Sequence, residues 1–222
     1  MAQIKSFDEL NEIVGYKRSM PYEEYFDTGI LTEKEKEQRV RLAEEMDDKL
    51  KPIFLYMLYC LLDDVTIDYE YVESQLRVGY EEALDDVGYQ IDDAVRERII
   101  KFAENTRTIS EKHISPLPNM SNADLYYMSD DRIMAIAENQ SQISSEYQEL
   151  VDAILNGASY HEWVTMRDAK VREAHKKVDG TVLPIEEPFI VDGYRMVAPG
   201  DTVTDDAPEE LVAGCRCHAR YF

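Results

Sequence analysis

The chain has 222 residues, 46 acidic against 24 basic side chains, and a formal charge of -22. Its 44% hydrophobic share suits a folded protein that buries a core, and the acidity works against binding a phosphate backbone over any broad surface. The charge is uneven: residues 157 to 222 hold 8 basic and 12 acidic side chains, a balance of -4, which leaves -18 on residues 1 to 156.

In chain order, "MAQIKSFDEL" lacks the charged-then-apolar pattern of a secretory signal, so the reading is a cytoplasmic protein without an export signal of its own. Thr32 followed by Glu35 has the form of a capping box, and Ala43, Met46, Leu50, Phe54, Met57 and Leu61 then trace one helical stripe. Pro52 interrupts that stripe, which predicts a kink or a restart. The run "PIFLYMLYCLL" is too short to cross a bilayer, so no membrane partner is expected, and Cys60 within it reads as core. Val72, Leu76, Tyr80, Leu84 and Val87 form a second stripe ending near Gly88, and Val95, Ile99 and Phe102 a third.

The turn-rich stretch "HISPLPNMSN" breaks the periodicity as a linker would. Ser129 can cap a long helix carrying Ile133, Ile136, Gln140, Ile143, Tyr147, Leu150 and Ile154, with Gly157 as its terminator. Beyond it the pattern turns to short β-type runs: "PFIV" and "YRMV" flank Asp192-Gly193, the form of a type I′ hairpin, and "CRCHARYF" reads as a final strand. The expected fold class is therefore α+β, a mainly helical N-terminal body followed by a small C-terminal β-rich module with a hairpin and a terminal strand. The expected division is an acidic helical region over 1–115, a linker and long helix over 116–156, and the C-terminal module over 157–222.

With Cys60 in the core, only Cys215 and Cys217 remain, far from the cysteine density of a secreted disulfide scaffold, and a reducing compartment is expected. In a strand the two would face one way and His218 the other. Upstream, Asp168 and His175 are seven residues apart and share a face if the segment is helical. Two thiolates, an imidazole, and a carboxylate or water complete a tetrahedral zinc shell, whereas magnesium and calcium prefer oxygen. The blander reading makes the cysteines small buried hydrophobes, Asp168 a helix cap and His175 a surface residue. A cysteine nucleophile served by His175 or His161 is a further alternative, although no phosphate loop, nucleophile elbow or His-Glu-x-x-His helix is present. Trp163, the only tryptophan, would anchor the tail's core. Arg167, Lys170, Arg172, Lys176 and Lys177 form the one basic cluster, suited to the chain's own acidic helices, then an acidic partner, then DNA.

Taken together, "EWVTMRDAKVREAHKKVDG", "PIEEPFIVDGYRMVAPGD" and "APEELVAGCRCHARY" resemble the C-terminal signature of the phage Mu F-like head morphogenesis family, the minor head proteins of tailed bacteriophages. The resemblance covers residues 157 to 222 well and extends weakly over the helix from Asp131. It carries the family's recurrent positions onto Trp163, Asp168, His175, Gly180, Pro199, Gly200, Asp201, Cys215 and Cys217, and implies that Asp168, His175, Cys215 and Cys217 meet. Gly214 stands where the family usually has Asn, and Ala137-Glu138 where it has Thr-Glu. The implied function is structural: a minor head protein acting in capsid assembly, bound to portal or inner capsid, with scaffold as a further partner and DNA contact weak. The implied location is the phage head, reached through the host cytoplasm. A metal-dependent hydrolase or nuclease, and a DNA-binding factor at the packaging vertex, are the alternatives.

Overall fold

The computed structural model describes residues 20–114 and 121–222; residues 115–120, most of the stretch read as a linker, lie outside them. The fold class is α+β, with helices dominating the N-terminal part and small antiparallel sheets closing the chain. The helices are α1 (Tyr22–Tyr25), α2 (Glu33–Leu62), α3 (Tyr69–Asp86), α4 (Asp93–His113), α5 (Asn122–Leu125), α6 (Asp130–Leu155), α7 (Glu173–Val178) and α8 (Glu209–Val212), with a 3₁₀ turn at Tyr126–Met128. The strands are β1 (Tyr160–Val164), β2 (Val182–Pro184), β3 (Phe189–Val191), β4 (Tyr194–Met196) and β5 (His218–Tyr221). No helix among the described residues is long and apolar enough to cross a membrane.

The chain packs as two compact units, one built from Leu42–Ala137 and the other from Tyr22–Arg41 with Glu138–Phe222. Both boundaries fall inside helices, in α2 and in α6.

In the first unit the expected stripes are the buried faces. Ala43, Met46, Leu50, Phe54 and Met57 of α2 are buried, as are Val72, Leu76, Tyr80 and Leu84 of α3 and Ile99 and Phe102 of α4. Tyr80 meets Phe102 edge-on at 4.9 Å between ring centroids. Asp68 and Asp92 start α3 and α4 by accepting from the backbone N–H of Tyr71 and Val95. The restart expected at Pro52 does not occur, and α2 runs on through it. Pro52 removes one intrahelical hydrogen bond and its ring crowds the carbonyl a turn earlier, a cost offset by the buried residues on both sides, Leu50, Ile53 and Phe54. In this same unit Arg132 is buried, donating to Ser110 Oγ and the Tyr127 carbonyl while its guanidinium lies 5.3 Å from the Phe54 ring centroid.

In the second unit the capping box at the start of α2 is complete: Thr32 N donates to Glu35 Oε2 at 2.6 Å and Glu35 N to Thr32 Oγ1 at 3.3 Å. Strands β2, β1 and β5 form an antiparallel sheet in that order, with Trp163 opposite Ala219 and Val164 opposite His218. Strands β3 and β4 pair separately around Asp192 and Gly193, both at positive φ (53° and 93°), the backbone of a type I′ turn. Trp163, Phe189, Val191, Met196, Leu211, Val212, Cys215 and Cys217 make one buried cluster.

The Pro-Gly-Asp sequence is a structural turn of this unit. Gly200 sits at φ 84°, and a Cβ there would lie 2.7 Å from Ile143 Cγ1 on α6. Asp201 is buried and accepts from the N–H groups of Val197 and Val203, at 3.1 and 3.0 Å, and from the Thr204 hydroxyl. Gly180, at φ 75°, donates its N–H to the Trp163 carbonyl at 2.8 Å. Gly200→Ala is expected to destabilise the protein by roughly 1–3 kcal/mol, through left-handed strain plus the collision with Ile143. Gly193→Ala, equally left-handed but with nothing within 4 Å of its added Cβ, is expected to cost less, and urea midpoints of the two variants measure the difference.

Candidate functional site

Three of the four residues read as a ligand set converge. His175 Nδ1 lies 3.3 Å from Cys217 Sγ and 3.6 Å from Cys215 Sγ, and all three side chains are buried, at 2–3% exposure. One donor atom from each falls within 4.8 Å of the others. The His175 ring stands edge-on to Trp163 at 5.5 Å, so Trp163 both anchors the apolar cluster and walls the site.

The local route to this geometry departs from the sequence expectation twice. The segment carrying Asp168 is a turn, not helix, and α7 begins only at Glu173. Asp168 Oδ1 accepts from Lys170 N at 2.9 Å, a bond that favours a turn over a helical start. Strand β5 begins at His218, so the two cysteines precede it. Alternation on a regular strand is therefore not what aims both thiols at the core. The backbone before the strand is held instead by hydrogen bonds from α6.

Asp168 does not join the cluster. Its carboxylate takes Arg216 Nη2 at 2.7 Å, and that bond holds it below the usual carboxylate range. Arg216 is the residue between the two cysteines, so Asp168 braces the Cys-x-Cys segment from outside. Arg172 braces it from the other side, donating to the carbonyls of Glu210 and Ala213 at the end of α8.

The thiols themselves are an unequal pair. The hydrogen bond from the Cys217 thiol, opposed by burial and aided by His175, draws Cys215 down to about 5. Proximity to Cys215 together with burial pushes Cys217 up. Two adjacent buried thiolates without a neighbouring cation are costly. As a donor set, two sulfurs and an imidazole nitrogen suit a thiophilic tetrahedral ion and not magnesium or calcium.

What sequence reading missed is the polar face of α6. Asn139 Oδ1 accepts from Gly214 N at 2.7 Å, and Gln142 Nε2 donates to the Cys217 carbonyl at 2.8 Å. Glu146 accepts from Ala219 N and bonds His218 Nδ1, both at 2.9 Å. Residues 139, 142 and 146 share one helix face, and they bind successive groups of the segment 214–219. Glu146 is fully buried, and Arg39 of α2 meets it at 2.6 Å while also bonding Gln142 and Glu149. Burial would raise the Glu146 carboxyl, but His218 and Arg39 outweigh it and hold it below the ordinary range. The only sequence signal for this clamp was a cluster of polar residues where a core-facing helix should be apolar.

The basic cluster is largely engaged. Arg167 pairs with Asp179 at 2.8 Å, Lys176 with Glu173 at 2.5 Å, and Arg172 is committed to carbonyls; among the described residues Lys170 and Lys177 form no salt bridge. His161, the other imidazole considered as a base, bonds the Glu187 carbonyl at 2.9 Å and packs on Phe189, and burial lowers its pKa. Gly214, at φ 62°, occupies the left-handed region that glycine and asparagine both tolerate.

The fold and site together define a helical α+β protein ending in a small module that gathers one histidine and two cysteines. The family model described as phage Mu protein F like protein matches residues 90–220, more than half of the chain, and the chain belongs to that family, whose members are phage head morphogenesis proteins. No curated protein and no solved structure matches the chain significantly.

Arg39 lies outside the matched region yet neutralises Glu146 within it. Arg39→Met is expected to cost about 3–5 kcal/mol, the penalty of stranding a buried carboxylate. Arg39→Lys should recover only part of it, since an ammonium cannot reproduce the planar fork that reaches Gln142, Glu146 and Glu149 together. Chemical denaturation of the three proteins tests the order.

Proposed function

We propose that the protein is a minor head protein that acts during capsid assembly by binding the portal, the inner capsid wall, or both. It is made in the host cytoplasm and retained in the phage head, and its work is binding rather than turnover. The observation that carries this reading is membership of the phage Mu F-like family over residues 90–220.

The physical features support it. The C-terminal module is held by a buried, hydrogen-bonded polar clamp, which suits a surface that must keep one shape while an assembly forms around it. One face of its sheet leaves apolar side chains in solvent: Tyr160, Val182 and Phe222 are 48%, 47% and 59% exposed, and the Tyr160 and Phe222 rings stack at 6.1 Å. Exposed aromatic and branched side chains on a rigid sheet are a fitting contact for a protein partner. The high net negative charge keeps such a chain soluble before assembly and opposes broad contact with packaged DNA.

The test is to look for the protein in purified phage heads and in pull-downs of the portal from infected cells, both by mass spectrometry. It is expected in the heads, at a copy number well below that of the major capsid protein, and with the portal or the capsid shell. Absence from both heads and assembly intermediates would overturn the proposal. Tyr160→Ser with Val182→Ser, on the exposed face and without like charges facing each other, should lower the melting temperature only slightly while reducing incorporation.

A further inference from the structure

We infer that His175, Cys215 and Cys217 hold one zinc ion through three protein ligands, and that the fourth position is completed by solvent from the adjoining pocket rather than by Asp168. The inference does not rest on the assembly role, since a protein absent from heads could still bind the ion.

The geometry carries it. A buried imidazole normally finds an oxygen partner, yet His175 Nδ1 faces two sulfur atoms, at 3.3 and 3.6 Å. Those sulfurs come from residues 40 and 42 positions further along the chain. The positions are secured independently: Gln142 fixes the Cys217 carbonyl, Asn139 fixes the N–H preceding Cys215, and Arg172 ties the entry to α7 to the end of α8. Packing alone would be satisfied by three apolar side chains in a cluster that already holds Trp163, Phe189 and Met196. A convergent set of two thiols and one ring nitrogen is the donor chemistry of a zinc site.

The same three residues line a small pocket with Met166, Lys170 and Arg216. No fourth protein donor joins the group among the described residues, and Asp168 is bound to Arg216 and to Lys170 N. The remaining position is therefore supplied through that pocket.

The experiment uses the full chain, purified reduced and without chelator, then given Zn²⁺ or Co²⁺. One zinc per chain is expected by elemental analysis. The cobalt form should show the thiolate-to-cobalt charge-transfer band of two sulfur ligands and the visible bands of a tetrahedral ion. Trp163 is the only tryptophan and lies beside His175, so cobalt should quench its fluorescence and excess zinc should restore it. Asp168→Asn and Cys60→Ser should retain the cobalt spectrum; His175→Gln, Cys215→Ser and Cys217→Ser should lose it. Adding azide to the cobalt form should shift the visible bands by taking the solvent position.

Folded, reduced wild-type protein that takes up neither metal would overturn the inference, and because this arm uses the unaltered chain it does not depend on any variant folding. Loss of the cobalt spectrum in Asp168→Asn but not in Arg216→Gln, which breaks the same brace, or bands that azide leaves unmoved, would overturn the assignment of three protein ligands with a solvent position.

Discussion

One buried carboxylate organises the C-terminal unit. Glu146 sits on α6 without solvent, and a charge in that position must be answered by partners or it unfolds what surrounds it. It is answered four times: by Arg39 from α2, by His218 and the Ala219 N–H from β5, and by Gln142 one turn earlier on its own helix. Each of these bonds also fixes an element. Satisfying Glu146 therefore places the start of α2, the middle of α6 and the last strand with respect to one another within the unit.

The consequence reaches the cysteines through the backbone. A three-residue segment outside any regular strand would ordinarily sample many conformations. Here its carbonyl at Cys217 and the N–H just before Cys215 are both taken by α6 side chains, while strand β5 begins at the next residue. The thiols are thus aimed by a helix that contributes none of the three converging side chains itself. Polar groups on α6 make this possible where apolar ones could not, because only hydrogen bonds have the direction to select one backbone path.

How far the sequence discloses this depends on the kind of signal each element leaves. Apolar periodicity gives the stripes of α2, α3 and α4, and the Thr32-Glu35 box and Asp192-Gly193 turn are local chemistry that survives in any context. The stripe along α6 is only part of its buried face: Ile133, Ile143 and Leu150 are buried as expected, but the stripe omits the polar residues buried beside them. Ile154, assigned to it, is 52% exposed, whereas Glu138, Ser141, Gln142, Ser145 and Glu146 are buried. A hydrophobic period cannot reveal a face whose burial is compensated by partners a hundred residues away, such as Arg39. Likewise, Asp168 and His175 share a face only if the segment between them is helical. The Asp168 side chain, by bonding the backbone two residues on, instead makes a turn there.

The convergence of His175 with the cysteines survives that error for a topological reason. Strand β1 lies between β2 and β5, and Gly180, in the turn that follows α7, donates its N–H to the Trp163 carbonyl of β1. The turn after α7 is thus tied to the same strand that pairs with β5, and Trp163, directly opposite Ala219, fills the space between. His175 needs no helical phase relation to Asp168 to arrive at the thiols; it needs α7 to end at that turn and β5 to pair with β1 in the observed register. A one-residue slip of β5 would turn Ala219 away from Trp163, remove its N–H from Glu146 and shift the Cys217 carbonyl away from Gln142. The register of a four-residue strand is therefore specified by a buried charge and a tryptophan together, and the geometry of the histidine and the two cysteines follows from it.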